Sequence, residues 1–198
     1  PRLAKVNDTK ARMNNFISND SDWIRFQTQI STDNDQIAIA LGYLQKEWKA
    51  NDRRYFTYKM DSPILNFYAF LSADYQVKKA KWNNVNIEVY YQKGHEYNLD
   101  RMISSIQNSL NYYTKNFAPY QHKQVRIIEF PRYASFAQSF PNTIPYSEDI
   151  GFLTKIEPDK PQKIDVPFYV TAHEVAHQWW GHQVVGANVQ GSAMLSET

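Results

Sequence analysis

The hydrophobic period of this chain changes once, near residue 98, and that change limits the fold classes open to it. Before it, apolar and polar residues alternate, the two-residue repeat of half-buried strands. Ile24, Phe26, Thr28 and Ile30 alternate with Trp23, Arg25, Gln27 and Gln29. Strands are expected to follow at 37–44, 54–59, 65–71, 74–79 and 85–91. Turns are expected at 31–35 and Gly42, and a break at Ser62-Pro63. After the change, Leu99, Met102, Ile103, Ile106, Leu110, Tyr113 and Phe117 recur at three or four, predicting an amphipathic helix that Ala118-Pro119 ends. A strand at 125–130, a loop-rich stretch over 132–165 with a strand at 150–156, and a helix from Pro167 to about Trp180 complete the pattern. Such segregation predicts an α+β chain, with an antiparallel β region over 22–92. The composition break at 92–97 divides it into 1–94 and 95–198.

Aromatic content is high, with 14 Tyr, 11 Phe and 5 Trp, enough large apolar side chains for a packed core. A net charge of +2 gives no reason to expect a nucleic-acid or membrane-surface partner. Lys78-Lys79-Ala80-Lys81 reads as a solvated strand edge or turn. The absence of cysteine excludes disulfides and thiolate ligands, so a metal here must use His and carboxylate groups. No apolar run is long enough to span a bilayer. A start at Pro1, without Met, and an end just after Glu197 predict a piece of a larger protein, with the remainder of the same polypeptide as a partner.

His173-Glu174-Val175-Ala176-His177 carries the chemistry. On a helix, residues four apart share a face, so His173 and His177 can hold one zinc ion while Glu174 leans over it. A shuffled chain of this composition gives H-E-x-x-H roughly once in two hundred trials, so coincidence is a small alternative. Between His182 and Thr198, Glu197 is the side chain able to supply a hard anionic third ligand. Three protein ligands leave a position for water, the arrangement of catalytic rather than structural zinc. Such a water, with Glu174 as general base, implies hydrolysis of an amide, most plausibly a peptide bond. His182 is expected to stay off the metal, in a surface or supporting role. His95 and His122 read as surface residues. At least one of Trp179 and Trp180 should be buried against the core.

The run His173–Gly181, His-Glu-Val-Ala-His-Gln-Trp-Trp-Gly, resembles the active-site helix of the aminopeptidase N family of gluzincin zinc metallopeptidases. Leu195-Ser196-Glu197 resembles that family's second helix, which supplies its third ligand. Tyr146-Ser147-Glu148-Asp149-Ile150-Gly151 looks like a divergent Gly-Ala-Met-Glu-Asn segment, which would place Glu148 where the family binds a substrate's free α-amino group. The resemblance implies that 1–94 is the end of an N-terminal β-sandwich or saddle domain, and that 95–198 is the first part of a thermolysin-like catalytic domain. It implies a zinc aminopeptidase acting on peptide substrates, with its transition-state tyrosine beyond Thr198. Ile144-Pro145-Tyr146-Ser147 departs from the family's small residues, and the His177-to-Glu197 spacing is one residue longer than usual. Two alternatives stay open: an endopeptidase with no role for Glu148, and a non-catalytic peptide-binding scaffold. Relatives of this kind can be soluble, secreted or membrane-tethered; an extracytoplasmic or tethered setting, through segments outside this chain, is the expectation taken here.

Overall fold

A computed structural model describes residues 3–17, 21–157, 160 and 164–197. The fold is α+β, as the change of period requires. Its first part is built of short antiparallel pairings. β1 (Trp23–Ile24) pairs with β6 (Ile64–Leu65), and β3 (Ile37–Ile39) with β7 (Leu71–Ala73). β5 (Arg53–Lys59) lies between β2 (Gln27–Asp33) and β4 (Tyr43–Ala50). The single strand expected over 65–71 is therefore only the two ends of that segment, each paired elsewhere.

The second part is a four-stranded sheet in the order β11-β10-β9-β8, from β8 (Gln76–Trp82), β9 (Val85–Tyr91), β10 (Gln124–Phe130) and β11 (Thr143–Ser147). β8 and β9 form an antiparallel hairpin, whereas β9, β10 and β11 run parallel. Helix α1 (Leu99–Asn116) makes the crossover from β9 to β10. β9 is hydrogen-bonded to β10, with Val89 opposite Ile127, so the boundary expected at 94 falls inside one sheet. The composition break there marks the entry to the crossover helix.

Both faces of this sheet are covered, which is why every residue of β10 is buried. Ile87, Val89, Val125, Ile127 and Ile144 meet α1 through Met102, Ile106 and Leu110, and α2 (Val166–Ala176) through Val175. On the opposite face Ile128 and Tyr90 pack with Ile39 and Tyr75 of the first part. Arg126, 2% exposed, also points that way. Its Nη2 donates to the carbonyls of Ala40 at 2.6 Å and Gly42 at 3.0 Å and to Thr143 Oγ1 at 2.9 Å, and its guanidinium lies 5.4 Å from the Tyr58 ring centroid. Gly42 makes the tight turn beneath it with φ +88°; a Cβ there would meet the Lys59 carbonyl carbon at 2.7 Å.

Residues 150–156 are not a strand. Glu148–Phe152 form a π-helical turn, and the buried Asn98 side chain donates to the carbonyls of Gly151 at 2.8 Å, Phe152 at 3.2 Å and Thr154 at 2.9 Å. That amide satisfies oxygens that a neighbouring strand would otherwise take. The edge beside β11 is instead occupied by 136–140: Gln138 N–H donates to Pro145 O at 3.0 Å and Ser147 N–H to Phe136 O at 3.0 Å. Among the described residues no helix is long and apolar enough to cross a membrane.

Candidate metal centre

Helix α2 begins with an N-cap: the Asp165 side chain accepts from Phe168 N–H at 3.1 Å, with Pro167 in the first turn and Arg101 paired to the same carboxylate. It ends sooner than expected, at Ala176, with His177 as its C-cap. The chain then tightens through Gln178 N–H to Val175 O at 3.1 Å and Trp179 N–H to Ala176 O at 2.9 Å. Trp179, 3% exposed, anchors this end in the core, and its indole N–H donates to Ala118 O at 2.9 Å.

His173 and His177 project together, with their Nε2 atoms 3.1 Å apart. Glu197, after a short helical turn at Ser192–Leu195, brings its carboxylate to 3.6 Å from His173 Nε2 and 3.9 Å from His177 Nε2. The expected second helix is thus a single turn as far as Glu197, and Thr198 lies outside the described residues. Donors held roughly 2.0–2.1 Å from a tetrahedral zinc sit about 3.3 Å apart, so this spacing fits one such ion. His177 Nδ1–H donates to Trp180 O at 3.0 Å, which fixes the tautomer and leaves the Nε2 lone pair facing the other donors. Burial, followed by the neighbouring His177, lowers the His173 pKa and favours the neutral form that a metal needs.

Glu174 is 5% exposed, and its Oε2 has no hydrogen-bond partner among the described residues. Burial, then the nearby Glu197 charge, pushes its carboxyl up to about 7. A cation between the two histidines would favour ionisation. Two clefts flank the group. One, of about 340 Å³, is lined by His177, Glu197, Gln138, Ser139 and Phe67. The other, of about 540 Å³, is lined by His173, Glu197, Tyr113, Tyr169 and Trp180.

The buried residues Ser139 and Gln178 lacked a sequence signal of their own, although Gln178 sits inside the motif run. Ser139 Oγ donates to Glu174 O at 2.9 Å and accepts from Gln178 Nε2 at 2.7 Å. Gln178 also donates to Phe140 O at 2.9 Å and accepts from Asn142 N–H at 2.9 Å. His182 is off the metal group but is not a surface residue: it is 4% exposed, and its Nε2 lies 2.9 Å from Ser139 O, placed to donate to it. His122 is also buried, and His95 is half-buried against Glu129, which corrects the surface reading of both. Their positions between turns carried no periodic signal.

Glu148 is not in the same donor cluster as His173, His177 and Glu197. It lines neither flanking cleft and groups with His95 and Glu129.

No protein-family model matches the chain, and no curated protein matches it in sequence. Solved structures match its fold. The M1 zinc metallopeptidase of Deinococcus radiodurans aligns with TM-score 0.66 and 16% identity over 89% of this chain. A point mutant of that enzyme gives TM-score 0.67 at 16% identity over 89% of this chain. A two-domain M1 zinc metallopeptidase mutant bound to L-arginine gives 0.66, again at 16% identity and 89% coverage of this chain. The chain spans 38–39% of the length of these structures. The fold is therefore that of part of an M1 zinc metallopeptidase.

Proposed function

We propose that the protein carrying this chain is a zinc-dependent peptidase. His173, His177 and Glu197 hold one zinc ion, and Glu174 acts as general base. The observation that carries this reading is the convergence of two imidazole nitrogens and a carboxylate at 3.1–3.9 Å, beside a buried glutamate on the same helix. Zinc bound there supplies Lewis acidity, which lowers the pKa of a water and polarises a carbonyl. Glu174 takes the proton of that water and passes it to the leaving amine. The 136–140 edge supports peptide binding: Gln138 and Phe140 are hydrogen-bonded inward to β11, while the backbone of Ala137 faces away from it beside the cleft. An extended substrate can add to such an edge.

Release of N-terminal residues is the narrower form of this proposal, and it needs a carboxylate for the free α-amine. Glu148 is the candidate for that anchor by its place in sequence, and the endopeptidase version gives it no role. Full-length protein assayed on unblocked aminoacyl substrates and on N-blocked peptides separates the two. Glu174→Gln should retain zinc and lose at least about a hundredfold in kcat on whichever substrate is cleaved. Retained zinc with no hydrolysis by the wild type would leave a peptide-binding scaffold.

A further inference from the structure

The parallel strands β9, β10 and β11 finish side by side, and a second set of donor atoms converges near their carboxyl ends. A ring nitrogen of His95 and carboxylate oxygens of Glu129 and Glu148 lie within 4.8 Å of one another. The carboxyl ends of parallel strands are where open sheets most often bind ligands. Glu129 is 1% exposed; it accepts Gln92 N–H at 2.6 Å through Oε2 and meets His95 Nδ1 through Oε1. A carboxylate this buried requires a compensating charge, which an imidazole supplies fully only when protonated. Burial raises the Glu129 pKa, the hydrogen bonds from His95 and Gln92 offset part of that rise, and the Glu148 charge adds a smaller push upward. Glu148 accepts Arg132 N–H at 3.2 Å, but the Arg132 guanidinium stands 3.7 Å away on a side chain 71% exposed. Such an exposed pair is worth at most about 1 kcal/mol and gives way easily to a better cation.

We propose that His95, Glu129 and Glu148 form a second divalent-cation site, distinct from the His173–His177–Glu197 group. One imidazole and two carboxylates suit a zinc- or manganese-class ion, whereas calcium sites are built from oxygen donors. The two carboxylates neutralise the ion, and the direct His95–Glu129 hydrogen bond is replaced by a bond from each residue to the metal. This site does not rest on the zinc-peptidase reading, although it takes for the metal the Glu148 carboxylate that the aminopeptidase form would give to a free α-amine.

The test is zinc titration of chelator-stripped full-length protein by calorimetry, with metal analysis after dialysis. Wild type should take up two equivalents, and Glu129→Gln and His177→Ala one each. If Glu129→Gln does not fold, His95→Asn removes a less buried ligand and should also leave one equivalent. A single equivalent lost in Glu129→Gln and kept in His177→Ala would support this site and sink the proposed catalytic centre. A single equivalent lost in His177→Ala and untouched by either cluster variant overturns the second site. Absence of zinc uptake overturns both.

Discussion

Ser139 and Glu174 are joined across the cleft wall, the serine hydroxyl donating to the glutamate main-chain carbonyl at 2.9 Å. This bond, with those from Gln178 and His182, fixes the spacing between the 136–140 edge and the helix that presents the two histidines.

Ser139→Ala removes that donor and leaves the Gln178 amide without its hydroxyl acceptor. A loss of about 1–3 kcal/mol in unfolding free energy is expected from urea melts. An unchanged midpoint would show that the clamp contributes nothing to the packing of edge against helix.

Removing a proposed metal donor should act on zinc binding rather than on the fold. Glu197 is exposed, so Glu197→Ala is expected to leave the melting temperature of the metal-free protein unchanged. Its zinc affinity should fall by more than about tenfold, beyond the least that loss of an outer hydrogen bond costs. Competition with a chromophoric chelator reads this directly, and equal affinity would exclude Glu197 from the site.

His122 should add a pH-dependent share to the stability, beside the same-signed share of buried His182 and the opposite one of Glu174. Burial, then the proximity of His182, lowers the His122 pKa from 6.5 to about 4 in the folded protein. Between those values the unfolded chain binds a proton that the folded chain refuses at His122, so the His122 share of stability rises with pH across the window. That share is fully present above about 6.5 and is lost as pH falls towards 4, with a contribution on the order of 3 kcal/mol. Neither ring nitrogen has a partner among the described residues, so His122→Phe should flatten this part of the profile. A mutant profile parallel to wild type would contradict the assignment.

Gly42→Ala should destabilise by about 1–3 kcal/mol, because φ +88° disfavours a side chain and a Cβ would lie 2.7–2.9 Å from the Lys59 and Met60 backbone. Chemical denaturation measures it; a neutral result would mean that the turn relaxes without cost.

The elements with long, unbroken periods were legible in the sequence. Leu99 to Leu110 gave α1 nearly to the residue, and Val85 to Tyr91 gave β9, because each buries one continuous face. Residues 150–156 misled because their apolar spacing fits a strand while a distant side chain, Asn98, supplies the hydrogen bonds. The His173–His177 spacing was readable because helix geometry alone sets it. Ser139 and His182 were not, since their roles come from tertiary hydrogen bonds that local sequence does not encode. Glu148 was read from its neighbours in sequence, but its placement follows from where β11 ends.

Arg126 has a consequence for how such a protein can be divided or recombined. Its guanidinium is a cation, and the oxygens that surround it come from both sides of the molecule: Ala40 and Gly42 from one, Thr143 from the other. A cut between the two parts would exchange the Ala40 and Gly42 carbonyls for water and leave a charge in the middle of an otherwise apolar face. A hybrid that grafts another β region onto residues 76–197 inherits the same demand. It must offer carbonyls at equivalent places or replace Arg126 with a neutral side chain of similar bulk, so the two halves are exchangeable only as a matched set.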